Sequence, residues 1–99
     1  MCSILCTNKT IEDYDDINYY LKFRGPDNTT MIKDEVNNFT FLHNLLSMTG
    51  EFTEQPFVQD GVVCLYNGEI YNYKEFGDYD SDGLCLIDLY KEYGKDFVK

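Results

Sequence analysis

The chain has 99 residues, 43% of them hydrophobic and 16% aromatic, a composition that supports one domain with a real core and excludes disorder. Its formal net charge of -10 argues against nucleic-acid phosphates or an anionic membrane as partner and fits a soluble protein that takes a small ligand. The sequence shows neither an apolar run long enough to span a bilayer nor a signal-type start, so the expected location is cytoplasmic, with Cys2, Cys6, Cys64 and Cys85 kept reduced.

Residues 2 to 7 read as a first strand with Cys2, Ile4 and Cys6 on one side. If Met1 is trimmed, Cys2 carries both a thiol and the chain's α-amine, so one residue holds nucleophile and base. On residue type alone, the same cysteine is a small apolar strand residue. Thr10 is the expected N-cap of an amphipathic helix, with Asp13 as its capping-box partner. Ile11, Tyr14, Ile17 and Leu21 form the apolar stripe, and Glu12, Asp13, Asp15 and Asp16 the solvated face. Arg24-Gly25-Pro26-Asp27 ends that helix in a turn.

Strands near 29 to 33 and 37 to 43 read as a hairpin around Asp34-Glu35, with His43 at the end of an apolar face, where a histidine is usually a core or hydrogen-bonding residue. Residues 49 to 60, with Gly50, Gln55, Pro56 and Asp60, read as a loop, and Val62 to Tyr66 as a buried strand. By local pattern, Asn67-Gly68 is a type I′ hairpin turn. Residues 78 to 83 match the first half of a calcium loop, but Leu89 stands where a bidentate glutamate is required. Ser81 or Asp80 is instead expected to cap a last helix with core face Leu86, Leu89, Tyr90 and Tyr93, ended by Gly94.

Several of these pieces form an ordered set: Met-Cys-Ser-Ile at the amino end, Arg24-Gly25-Pro26-Asp27, His43 with Leu46-Ser47 after it, Gln55-Pro56, Tyr66-Asn67-Gly68-Glu69-Ile70-Tyr71-Asn72, and Ser81-Asp82 before a helix. The set resembles the class II glutamine amidotransferase domain at the front of asparagine synthetases. The resemblance runs almost from end to end of residues 1–99 and covers about the first half of the family's domain. It implies one truncated domain of α+β class, with Ntn-hydrolase-like antiparallel sheets and flanking helices. It also implies hydrolysis of glutamine to glutamate and ammonia.

Carried onto this sequence, the resemblance makes Cys2 the nucleophile and its freed α-amine the base. The Asn67 side chain and the Gly68 backbone N–H become the oxyanion donors, Glu69 and Asp82 hold the substrate's ammonium, and Arg24 lies near the nucleophile. No cofactor or metal is implied. Two departures shape the expectation. Where the family has an arginine that clamps the glutamine carboxylate, this chain has Leu45, a loss of about 10- to 150-fold in affinity unless Lys33 or another cation reaches the site. The second is that the family continues past Tyr93-Gly94 into more strands and an ATP-using synthetase domain, so asparagine synthesis by these residues alone is not expected. Three alternatives follow: a glutaminase serving a separate ammonia-accepting synthetase, an inactive binding or regulatory module, and a structural partner that self-associates as a homodimer.

Overall fold

The structure, a computed structural model, describes residues 1–48 and 51–99. Gly50, part of the expected loop, lies outside the described residues. The alternating run at the amino end forms strand β1, Ser3–Thr7, paired antiparallel with β3, Phe39–Leu45. Strand β2, Asn28–Asp34, pairs antiparallel with the other edge of β3, giving the order β1-β3-β2. Asp34 Oδ1 shapes the β2–β3 turn by accepting from the N–H groups of Val36 and Asn37, both at 3.1 Å. Register and pleat together sort the side chains. Ile4, Thr30, Phe41, His43 and Leu45 share one face, which Cys2 extends; Ser3, Thr29, Lys33, Leu42 and Asn44 share the other.

Helix α1, Tyr14–Leu21, lies against the second face. It starts later than expected, because Asp13 rather than Thr10 is the N-cap, accepting from the Asp16 N–H at 3.3 Å. The latch between helix and sheet is polar. Asn44, 0% exposed, donates to Asn18 Oδ1 at 2.8 Å and to Ser3 Oγ at 3.1 Å, and accepts from Thr29 Oγ1 at 2.7 Å. Ser3 Oγ in turn donates to the Leu21 carbonyl at 2.9 Å. Among the described residues, no buried side-chain N or O atom of the latch lacks a partner, so burial costs little.

Strands β4, Phe57–Gln59, and β5, Val62–Cys64, form a separate antiparallel pair. The expected loop through residue 60 therefore contains a strand. Asp60-Gly61, with φ of 51° and 77°, makes the tight connection, and positive φ at both positions is what a type I′ turn requires. Asn67 and Gly68 have no such backbone, so the hairpin turn expected there is absent, and the strand expected through Tyr66 stops at Cys64. Helix α2, Cys85–Tyr93, is led in by a 3-10 turn over Asp82–Leu84 and ends at Gly94, whose φ is 61°. The expected side-chain cap is missing, because the Leu84 N–H bonds the Ser81 carbonyl at 3.3 Å. Its inward residues are Cys85 and Ile87, whereas Tyr90 and Tyr93 are exposed, unlike the expected core face.

The whole is a small α+β domain with antiparallel sheets and two α-helices, a flattened body of 42 × 30 × 20 Å. Among the described residues, no helix is long and apolar enough to cross a membrane.

Candidate active site

The carboxyl end of β3 and the residues before β1, together with the stretches before β4 and after β5 and the turn leading into α2, enclose a cavity of about 260 Å³. Cys2 lies at its wall, half-buried, its Sγ accepting from the Leu46 N–H at 3.3 Å. That bond ties the residue before β1 to the residue after β3 and fixes where the sulfur sits. Asn67, Gly68 and Glu69 line the same cavity from the irregular stretch after β5, and Asp82 from the turn before α2. The fold thus brings five residues spread from position 2 to position 82 to one pocket.

Three anchors set the path of the 66–70 stretch. The Tyr66 N–H donates to Gln55 Oε1 at 2.7 Å, the Tyr66 carbonyl faces His43 Nε2 at 3.3 Å, and the Ile70 N–H donates to Asp82 Oδ2 at 2.8 Å. Asp82 Oδ1 also accepts from the Gly83 N–H at 2.9 Å. The carboxylate is therefore oriented by two backbone donors. Gly68 packs against the Tyr66 ring, since a Cβ there would stand 2.8 Å from the phenol oxygen.

Burial, with the nearby Asp82 charge adding to it, pushes the Tyr66 phenol up to about 12, so it stays a protonated donor at the pocket. Burial also raises the Cys64 and Cys85 thiols, and Cys85 Sγ is occupied in donating to the Asp82 carbonyl at 3.1 Å. Desolvation lowers the His43 pKa below its usual 6.5, partly opposed by the Tyr66 carbonyl, so the ring is neutral. His43 is 1% exposed and acts as a packing and hydrogen-bonding residue beneath the pocket.

Arg24 does not line the cavity; it is exposed on a 3-10 turn, Lys22–Arg24. Its motif neighbours have a different task. A Cβ on Gly25 would overlap the Asn44 backbone carbonyl, so only glycine permits this approach. The Asp27 N–H donates to the Leu45 carbonyl at 2.9 Å, and Asp27 Oδ2 accepts from the Ser47 N–H at 2.8 Å. The turn therefore braces the wall that carries Leu45 and Ser47. Lys33 does not reach the cavity either. Its place in the β2 register puts it on the opposite face of the sheet, with Nζ 5.6 Å from the centre of the Tyr14 ring.

The family model described as a glutamine amidotransferase domain matches residues 1–99. The chain belongs to the glutamine amidotransferase domain family. It is 31% identical to a protein of Methanocaldococcus jannaschii provisionally named glutamine-hydrolyzing asparagine synthetase 1, over 73% of this chain and 19% of that protein. It is 35% identical to glutamine-hydrolyzing asparagine synthetase 2 of Bacillus subtilis, over 79% of this chain and 12% of that protein. The chain thus spans less than a fifth of these curated relatives. No solved structure matches it.

Within this amidotransferase domain, sequence reasoning assigned no task to Gln55, Tyr66 or Glu51, all of which line the cavity. Gln55 and Tyr66 stood inside quoted motifs. Only the tertiary contact between them reveals that the glutamine side chain holds the backbone just before Asn67.

Proposed function

We propose that residues 1–99 form one N-terminal-nucleophile amidohydrolase domain that cleaves the side-chain carboxamide of glutamine or a related amide. The observation that carries this reading is the shared cavity of Cys2, Asn67, Gly68, Glu69 and Asp82. Once Met1 is removed, the Cys2 α-amine takes the thiol proton, and the thiolate attacks the carboxamide carbon. The Asn67 side-chain N–H and the Gly68 backbone N–H receive the oxygen that turns negative, an effect worth roughly 10²- to 10³-fold in rate. The amine returns its proton to the departing nitrogen, ammonia leaves, and a thioester remains. Water, deprotonated by the same amine, then releases the acid. Glu69 and Asp82 hold the substrate's ammonium group, and a separate synthetase unit consumes the ammonia.

The test is ammonia and acid release from L-glutamine and its α-amide by Met1-free protein, beside a Cys2→Ala control. Cys2-dependent release from either amide is the expected outcome. Release that survives Cys2→Ala unchanged, or no release from either amide, ends the proposal.

A further inference from the structure

We infer that the pocket selects a carboxamide carrying an ammonium and no carboxylate, an α-amino amide such as L-glutaminamide, over free glutamine. The inference rests on the amidohydrolase reading and names its substrate class.

The charge of the lining carries it. Three carboxylate side chains line the cavity, those of Glu51, Glu69 and Asp82, and no Lys, Arg or His lies among the lining residues. Thr49 and Gly50, outside the described residues, have no cationic side chain. Basic side chains lie off the lining, Lys74 for instance over the Tyr73 ring. Lys33 lies over Tyr14 on the far side of the sheet, Lys91 is paired with Asp60, and Arg24 is exposed on its turn. The α-amine at Cys2 takes and returns the thiol proton during turnover, so its charge is committed to the reacting carboxamide and not to a substrate carboxylate.

Free glutamine would bring its own carboxylate to a lining whose charged side chains, buried Asp82 and exposed Glu51 and Glu69, are all acidic, with no cationic side chain to meet it. That is the unfavourable case of like charges sharing a partly desolvated site. Its ammonium, in contrast, is matched by the acidic side chains. Converting the carboxylate to an amide removes the mismatch and keeps the match. The wall position on the Cys2 face is Leu45, 6% exposed, which offers hydrocarbon where a carboxylate would need a donor. The remaining polar groups at the lining, including Ser47, Thr53, Gln55 and the Tyr66 phenol, are neutral and suit an amide carbonyl or N–H. The cavity volume, about 260 Å³, suits an amino-acid amide rather than a drug-sized ligand.

The experiment compares steady-state hydrolysis of L-glutamine, L-glutaminamide and the dipeptide amide glutaminyl-glycinamide by the full Met1-free chain, at low and high salt. Products are identified by mass, so that side-chain hydrolysis of glutaminamide is distinguished from loss of its α-amide. The expected result is kcat/KM at least about tenfold higher for glutaminamide than for glutamine, chiefly through KM, with the ratio shrinking at high salt. Leu45→Arg is expected to shift the ratio toward glutamine by a similar factor. The dipeptide amide reports whether the site accepts an amino-terminal glutamine as well as the simple amide. Glutamine turned over as efficiently as glutaminamide by the unaltered protein overturns the inference while leaving the amidohydrolase reading intact. No Cys2-dependent release from any of the three removes both.

Discussion

The two ends of strand β3 share a backbone and a pair of neighbours, yet they have opposite surroundings. At the carboxyl end, Leu42, His43, Asn44 and Leu45 are 3%, 1%, 0% and 6% exposed. At the amino end, Phe39 is 38% exposed and merely stacks on Phe41 at a centroid distance of 6.0 Å. The polar Asn44 is thus better buried than the aromatic Phe39. Hydrophobicity alone does not decide which end is the core. What differs is convergence: α1, the turn at Gly25, the stretch through Tyr66 and the residue preceding β1 all meet the carboxyl end. Of the residues that meet there, Cys2, Leu45 and Tyr66 also line the cavity. Stability and the site are coupled at one end and independent of the other.

The sharpest break of this contrast is Gly25→Ala. The new methyl meets backbone rather than a movable side chain, so the expected loss is about 3 kcal/mol, read by denaturant unfolding. A loss below about 1 kcal/mol would show that the turn can shift away from Asn44. Next is Asn44→Leu, close in size but unable to bond. It orphans partners in Ser3, Asn18 and Thr29 and is expected to cost about 2 to 3 kcal/mol. Phe39→Ser at the other end should cost no more than about 1 kcal/mol and leave turnover unchanged. Equal costs at the two ends would erase the asymmetry.

Gln55 sharpens the coupling between fold and site. Gln55→Leu leaves the Tyr66 N–H without its acceptor, with an expected cost of about 1 to 2 kcal/mol. Because Asn67 is the next residue, kcat should fall while KM changes little. Gln55→Glu keeps an oxygen in place and is expected to restore most of kcat; no difference between the two variants would mean that the bond does not position Asn67.

Much of this was legible in the sequence, and the failures have physical causes. Alternation located β1 and the β2–β3 hairpin, because period two survives even where one face is only half covered. The start of α1 was misplaced because Thr10 and Asp13 are both competent caps, and only the path of the chain chooses between them. Asn67-Gly68 and Asp60-Gly61 carry the same local turn signal. The first is drawn out of a hairpin by long-range bonds through Tyr66 and Ile70, which local pattern cannot contain. Among the site residues, the motifs gathered Cys2, Asn67, Gly68, Glu69 and Asp82, and the fold sets them around one cavity. Neither Arg24 nor Lys33 lines that cavity: Arg24 is exposed on its turn, and strand parity puts Lys33 on the other face of the sheet.

The smallest expected effect concerns pH and again separates the two ends, since the carboxyl end holds the chain's only histidine. Burial lowers the His43 pKa below 6.5, with the Tyr66 carbonyl opposing only in part. Its Nδ1 is buried and has no hydrogen-bond partner, so a second ring proton would place charge where no acceptor waits. The unfolded chain therefore binds that proton first as pH falls. The stabilising contribution of the neutral ring is complete above about pH 6.5 and is lost as pH drops from there through the lower folded-state value. Unfolding midpoints at pH 7, 6 and 5 should fall more steeply for the unaltered protein than for His43→Gln, whose amide keeps a donor for the Tyr66 carbonyl but does not titrate. Both proteins share every carboxylate, so acid effects common to them cancel in the difference. Parallel profiles would show that His43 meets the proton equally well folded and unfolded, and that the carboxyl end of β3 is wetter than its burial implies.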